Sequence, residues 1–155
     1  MRLCVEDDFA SVVGSPDFLP AALCLAEAVA GAGSPHEVER LYELLLPYSA
    51  ANPVLINLWA LWGPVARGLG LLAAADDRPV DAGAHFEEAL RLAEAWGAQA
   101  WALRTIGDWL ATGVVVPDRA ALVNQGLALA RELGLPGVAA RIADDATSPS
   151  QIITP

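Results

Sequence analysis

The sequence predicts an all-α protein in which antiparallel helical hairpins stack into an array. Helix-length apolar patterns alternate with short breakers rich in glycine, proline and aspartate. The chain also repeats itself: Leu69-Gly70 recurs as Ile106-Gly107, 37 residues later, and ALRLAEAWGA recurs as GLALARELGL. Because one hairpin cannot bury both of its faces alone, the copies are expected to stack as an array of about seven or eight helices.

The clearest hairpin joins two apolar patterns, Pro64 to Ala75 and Val80 to Trp96, through the polar breaker Asp76-Asp77-Arg78-Pro79. Small residues stand where its two helices would touch, and one large aromatic residue would insert between them. These residues have the spacing of a tetratricopeptide-type repeat: Leu69-Gly70, Ala82, Phe86 and Ala89. The expected fold is therefore a tetratricopeptide-like array.

An earlier hairpin is predicted over about 17–46. Asp17 is expected to cap a helix from about Phe18 to Ala30. Ser34 would cap the next helix, with Glu37 three residues later completing a capping box.

The apolar segment Val54 to Leu61 is ambiguous between helix and strand from its periodicity alone. We interpret it as the start of a long helix that continues into Trp62 and is kinked at Pro64. This interpretation extends the central hairpin to about 54–96.

A third hairpin is predicted over about 98–133. Its first helix would run from Ala100 to Thr112, and Asp118 would cap a second helix that ends near Leu133. A last helix over 136–144 would cap the array.

The length of 155 residues fits one domain with a substantial core. We expect that domain over 1–146, followed by a flexible tail over 147–155.

The charge balance disfavours several classes of partner. The formal net charge is -10, with 19 acidic against nine basic residues, and no basic patch is present to bind a nucleic-acid backbone. No apolar run reaches the ~18 residues of a membrane span. The N-terminal MRLCVEDDF does not read as a secretory signal, which favours a cytoplasmic protein. Cys4 and Cys24 are then expected to be reduced thiols, buried or half-buried.

A resemblance to a known family rests on six segments, in this order: DDFASV, AALCLAEAVA, LYELLLPYSAANPVLI, GPVARGLGLLAA, HFEEALRLAEAWGAQAWALRT and ALARELGLPG. They resemble the C-terminal helical-repeat region of large actinobacterial ATP-binding LuxR-type transcriptional regulators and related ATPase-containing nucleotide cyclases. The resemblance covers nearly all of 7–143 and implies a tetratricopeptide-like sensor or interaction module. The sequence contains neither a phosphate-binding loop nor a basic helix-turn-helix segment, so the ATPase and DNA-binding activities are not implied.

The repeat alignment suggests a ligand-binding groove. Aligning Gly70 with Gly107 places Arg67 and Arg104 at one shared inward position, where two guanidinium groups would suit a carboxylate or a phosphate. Tryptophans near this position would suit an apolar ligand or a peptide side chain. The candidate contact residues are Trp62, Arg67, Leu71, Trp101, Arg104 and Asp108.

Structural explanations stay open for these residues. Arg104 and Asp108 have the spacing of an ordinary i,i+4 ion pair, and Asp108 with Glu27 across the groove could instead be a catalytic pair. His85 is expected on a solvated surface, and no metal ligand set is expected. Core packing is an equal alternative for the tryptophans, which are Trp59, Trp62, Trp96, Trp101 and Trp109.

The expected function is that of an interaction or effector-sensing module in signalling, without a cofactor. Its groove would bind a peptide, a partner protein, or a small apolar or acidic ligand. The alternative is a small free-standing enzyme that uses a Trp-lined pocket to act on an apolar substrate such as a secondary metabolite. A deep closed pocket with a carboxylate of raised pKa would favour the enzyme, and an open groove would favour the binding module. A homodimer that buries residues around Phe9 to Val29 is also expected, because the first hairpin has no preceding neighbour.

Overall fold

The computed structural model describes Phe9, Val13, Ser15 and residues 17–54 and 61–147. Within this part of the chain the secondary structure is helical, which confirms the all-α class. A short 3-10 helix, Leu46–Tyr48, follows the second α-helix. The α-helices are α1 (Phe18–Ala32), α2 (Pro35–Leu45), α3 (Val65–Ala75), α4 (Pro79–Ala95), α5 (Gln99–Thr112), α6 (Arg119–Glu132) and α7 (Pro136–Thr147).

The helices pack in a regular order along the chain. Each helix contacts the next one, and each odd-numbered helix also contacts the next odd-numbered helix: α1 packs on α3, α3 on α5 and α5 on α7. The four odd-numbered helices therefore form one continuous row. Side chains from α1, α3, α5 and α7 can meet along that row although they are far apart in sequence. None of the helices in the described residues has the length and hydropathy needed to cross a membrane.

The close helix contact predicted in the central hairpin is confirmed. A Cβ atom added to Gly70 on α3 would lie 2.9 Å from two ring carbons of Phe86 on α4. The ring of Phe86 is fully buried and stacks on Trp109 of α5, with 5.7 Å between ring centroids. Ala82 and Ala89 are also fully buried. The small residues thus let α3 and α4 close around one aromatic side chain.

The aligned glycine of the following hairpin does not have this role. A Cβ atom on Gly107 of α5 would meet no atom within 4 Å. The close approach is made instead by Gly126 of α6, where a Cβ atom would lie 2.9 Å from Ile106 Cγ2 and 3.0 Å from Ile142 Cδ1. Sequence alignment of the two repeats therefore transfers the helix position but not the contact.

Two of the three predicted helix caps are confirmed. The Ser34 hydroxyl accepts a hydrogen bond from the Glu37 N–H, and the Ser34 N–H donates to the Glu37 carboxylate at 2.5 Å. Asp118 accepts a hydrogen bond from the Ala121 N–H at 2.9 Å. The cap predicted at Asp17 is wrong, because its side chain makes no capping bond and its backbone (φ -96°, ψ 18°) is not extended as a capping residue requires.

The long helix predicted from Val54 through Trp62 is wrong at the positions that the structure describes. Val54 and Leu61 form an isolated antiparallel β-bridge, and α3 begins only at Val65. Gly63 has a φ of +86°, which interrupts a right-handed helix just before Pro64. Residues 55–60 lie outside the described residues, as do Cys4 and the predicted tail after residue 147.

Candidate functional site

Four charged side chains from three odd-numbered helices form a connected ion-pair network. They are Glu27 on α1, Arg67 on α3, and Arg104 and Asp108 on α5. Arg67 donates from Nε to Asp108 Oδ2 at 2.6 Å and from Nη2 to Glu27 Oε1 at 2.8 Å. Arg104 donates from Nη2 to Glu27 Oε2 at 2.8 Å, and its Nε lies 3.9 Å from Asp108 Oδ2. The network joins α1, α3 and α5 at one place.

Arg67 is the buried centre of the network. Its residue surface is 2% exposed, whereas the side chains of Glu27 and Asp108 are 38% and 25% exposed. A guanidinium group taken out of water needs charged partners, since an unpaired buried charge is strongly unfavourable. Arg67 therefore depends on carboxylates supplied by both neighbouring helices, and it fixes α1 and α5 relative to α3.

The structure brings four of the six predicted contact residues together. Arg67, Arg104 and Asp108 belong to the ion-pair network, and the ring centroid of half-buried Trp101 lies 5.7 Å from the Arg67 guanidinium carbon. Gly63 lies directly against the same indole, because a Cβ atom there would be 2.5 Å from Trp101 Cε3. The network and Trp101 thus form one unit beside the start of α3.

Both guanidinium groups at the shared inward position already have carboxylate partners. Two arginines and two acids, Glu27 and Asp108, balance each other in formal charge. The i,i+4 pair of Arg104 with Asp108 is present but long, and the short contacts run between helices. An acidic ligand would have to compete with Glu27 or Asp108, and its binding stays a prediction.

The other two predicted residues lie at the margin of this unit. Leu71 and Trp62 are half-buried and pack against the core. Trp62 reaches α1, where it hydrogen-bonds the thiol of Cys24. Cys24 is exposed, so the buried or half-buried thiol predicted there is wrong. Partial burial and the nearby charge of Glu27 raise the pKa of Cys24, while the bond to Trp62 lowers it, and the thiol is protonated at neutral pH.

A groove with a cavity volume of about 520 Å³ runs between α5 and α7. Its floor includes the buried side chains of Leu103 and Ile142, while Ala100, Ala111 and Leu135 on its sides are exposed. The groove is therefore an open channel with an apolar floor. It continues from the ion-pair network, because Arg104 and Asp108 line both.

The edges of the α5–α7 groove carry charges of both signs. Arg104 and Asp108 lie one turn apart on α5, and Arg141 and Asp145 lie one turn apart on α7. The end of α7 is tied to the start of α6 by a hydrogen bond of 2.7 Å, which the Arg119 guanidinium donates to the Asp145 carbonyl oxygen. An apolar floor between two sets of mixed charges suits an amphipathic ligand.

A second polar cluster lies between α2 and α4, around His85. The Tyr42 hydroxyl lies 2.8 Å from His85 Nε2, within hydrogen-bond distance. The Arg78 guanidinium stacks over the Tyr42 ring, with its carbon 4.4 Å from the ring centroid, and donates to Asp81. The solvated position predicted for His85 is therefore wrong, since the imidazole is half-buried. Burial lowers its pKa, and Arg78 adds to this effect while Asp81 opposes it.

The lowered pKa of His85 predicts a loss of stability as the pH falls below the usual histidine pKa of about 6.5. In that range the unfolded chain binds a proton at this position more readily than the folded chain does, so acid favours unfolding. Urea titrations at pH values on either side of about 6.5 should therefore show a smaller pH slope of the unfolding free energy for His85→Gln than for the wild type. The control is His36→Gln, on the exposed first turn of α2. Equal slopes for wild type and His85→Gln would contradict the assignment.

The described tryptophans do not share one cavity. Trp109 is buried in the core against Phe86, and Trp96 is exposed at the end of α4. The core interpretation is confirmed for Trp109, and Trp59 lies outside the described residues.

No group of three or more His, Cys, Asp or Glu side chains among the described residues could hold a metal ion. The chain matches no protein-family model, no curated protein and no solved structure. The arguments about its function therefore rest on the contacts described above and on the resemblance of its segments.

Proposed function

We propose that this protein is a tetratricopeptide-like interaction module whose α5–α7 groove binds an amphipathic segment of a partner protein. The observation that carries this proposal is the pairing of a buried apolar floor, at Leu103 and Ile142, with exposed charges along both edges. Apolar side chains of a bound segment would enter the floor. Its flanking polar residues would meet the charges at the edges.

The helix packing supports the tetratricopeptide-like part of the proposal. In such arrays the first helix of each hairpin lines one continuous surface, and here α1, α3, α5 and α7 contact each other in series. The Gly70 contact with Phe86 is the other supporting feature. The groove lies along the last two helices of this row.

The shape and charge of the groove favour a peptide segment over a compact anionic ligand. Its volume of about 520 Å³ accommodates a few side chains. Open grooves with apolar floors are a usual site for an amphipathic helix, which places its apolar positions in the groove. The balanced arginines and aspartates at the edges offer no net positive charge for a free anion. They can instead discriminate between segments by the order of charged residues that flank the apolar anchors.

The resemblance to the repeat regions of actinobacterial regulators supports a regulatory role in the cytoplasm. Such a module would report the presence of its partner or effector to other proteins. This part of the proposal rests on the resemblance, since fold alone does not define function.

Filling the groove should abolish binding without unfolding the protein. Gly107 lines the groove, and a Cβ atom there would meet nothing within 4 Å, so Gly107→Trp projects a large side chain into open space. Peptides selected from a random display library against the wild type should bind this variant at least about tenfold more weakly, as judged by fluorescence anisotropy.

The matched control for this experiment is Gly31→Trp on α1. Gly31 is also an exposed helical glycine without neighbours within 4 Å, but it does not line the groove. Both variants should retain the wild-type circular dichroism spectrum. Selected peptides that bind Gly107→Trp as tightly as the wild type would exclude the groove as the binding site.

The alternative of a small enzyme requires a Trp-lined pocket that encloses an apolar substrate. Trp109 packs in the core and Trp96 is exposed, so neither contributes to a pocket with half-buried Trp62 and Trp101. The open form of the α5–α7 groove also favours binding over enclosure of a substrate.

Self-association through the region around Phe9 to Val29 stays a prediction. Phe9 and Leu23 are buried within the chain, and Val13 is 46% exposed. Light scattering at high protein concentration should show a dimer mass if this region pairs with a second copy. A monomer mass under the same conditions would remove the prediction.

A further inference from the structure

A second surface of the protein combines exposed apolar side chains with one carboxylate. It lies between the first half of α4 and the connection from α5 to α6, and it has a cavity volume of about 360 Å³. We call it the Val80–Val115 surface. It shares no lining residue with the α5–α7 groove. The residues used below are Val80, Gly83, Glu87, Trp109, Val115 and Pro117.

The apolar part of this surface is unusually open to solvent. Val80 is 83% exposed and Val115 is 80% exposed. Gly83 lies between them on the α4 side and Pro117 on the side of the connection. Two branched side chains thus stand beside a glycine that leaves room for a ligand backbone.

Trp109 gives this surface a hydrogen-bond donor without a partner. Its indole lines the cavity, is 3% exposed, and stacks on Phe86. Its Nε1 is buried and makes no hydrogen bond with any described residue. Buried N–H groups in proteins almost always have an acceptor, and leaving one unpaired is unfavourable. A ligand carbonyl that reaches Nε1 after a small shift of the α5–α6 connection would supply the missing bond.

We propose that the Val80–Val115 surface binds an extended, proline-containing peptide segment that carries an arginine or lysine beside its apolar residues. An extended segment is required because its carbonyl groups are free to accept a hydrogen bond, whereas those inside a helix are already used. Polyproline-type segments have no internal hydrogen bonds and present such carbonyls in a preformed backbone. Their rings and aliphatic side chains match Val80, Val115 and Pro117.

The charge of the surface selects a basic flanking residue. Glu87 is exposed and is the one ionisable residue among those lining the cavity. The formal net charge of the chain, -10, also attracts a cationic segment and opposes the approach of a second copy of the protein.

The experiment uses two synthetic peptides, APPVPAR and its acidic counterpart APPVPAE, with the full chain labelled with ¹⁵N. The indole N–H resonance of Trp109 is identified by its loss in Trp109→Phe. The basic peptide should shift this resonance in a saturable manner, and the acidic peptide should bind more weakly. Glu87→Gln should weaken the basic peptide about two- to fivefold, and Val115→Ser should weaken it about tenfold.

Two controls separate this site from the rest of the protein. Glu39→Gln, at an exposed position on α2, should leave the affinity unchanged. Gly107→Trp, which fills the α5–α7 groove, should also leave it unchanged, so that this proposal and the proposed function can fail independently. Glu87→Arg should reverse the preference in favour of the acidic peptide.

Three results would overturn the proposal. The first is a Trp109 resonance that neither peptide shifts in a saturable manner. The second is equal binding of the two peptides by the wild type. The third is a dimer in solution that Val115→Ser dissociates, because a second copy would then be the occupant of this surface.

Discussion

Arg67→Met is expected to lower the free energy of unfolding by about 3 kcal/mol. The methionine would fill much of the same space, but Glu27 and Asp108 would lose the guanidinium group that both contact at 2.8 Å or less. The expected cost lies at the lower end of the range for a broken buried ion pair, because both carboxylates keep partial contact with water. Urea denaturation followed by circular dichroism measures this change.

Arg104→Met is the matched control for this substitution. Arg104 contacts the same two acids, but its side chain is half exposed, and its loss should cost about 1 kcal/mol or less. The triple variant Arg67→Met, Glu27→Gln, Asp108→Asn should recover most of the lost stability, because it removes the uncompensated charges together. Equal losses for Arg67→Met and Arg104→Met would contradict the central role of Arg67.

The two aligned glycines should respond to alanine with opposite signs. Gly70→Ala is expected to destabilise the protein by about 2 kcal/mol, because the new methyl group overlaps the ring of Phe86, which is held between α3 and Trp109. Gly107→Ala is expected to stabilise it by about 0.5–1 kcal/mol, because alanine is the better helix former and its methyl group points into open space.

Thermal unfolding of both alanine variants tests this difference. The midpoint should fall for Gly70→Ala and rise for Gly107→Ala. A rise for both would show that Phe86 can move aside, and that the α3–α4 contact does not depend on the absence of a side chain at Gly70.

The ion-pair network and the α5–α7 groove are mechanically connected. Arg104 and Asp108 line the groove, while Glu27 and Arg67 hold them from α1 and α3. A bound segment that attracts Arg104 would draw it away from Glu27 on α1. The network therefore offers a route by which binding at α5 and α7 affects the first hairpin.

Much of the helical framework could be predicted from local signals. The bounds of α4 and α5 follow from breakers that need only neighbouring residues, such as Asp77, whose φ is +54°, and Gly113, whose φ is +72°. The capping box at Ser34 is also local. The buried position of Phe86 follows from helical periodicity together with the small residues around it.

The failures share a physical reason, which is that they depend on contacts between distant segments. Glu27 and Arg67 are 40 residues apart, and no spacing rule within one helix could pair them. The partner of His85 is Tyr42 on another helix. Gly107 faces the α5–α7 groove because Gly126 supplies the close contact, which the alignment of the two repeats could not reveal.

The most direct test of the central claim is a map of backbone amide shifts for the ¹⁵N-labelled protein titrated with a peptide selected from the display library. Binding in the α5–α7 groove predicts that the largest shifts occur on α5 and α7, around Leu103, Gly107, Val138 and Ile142. Shifts centred on α2 or on the exposed side of α4, with α7 unchanged, would contradict the proposed function.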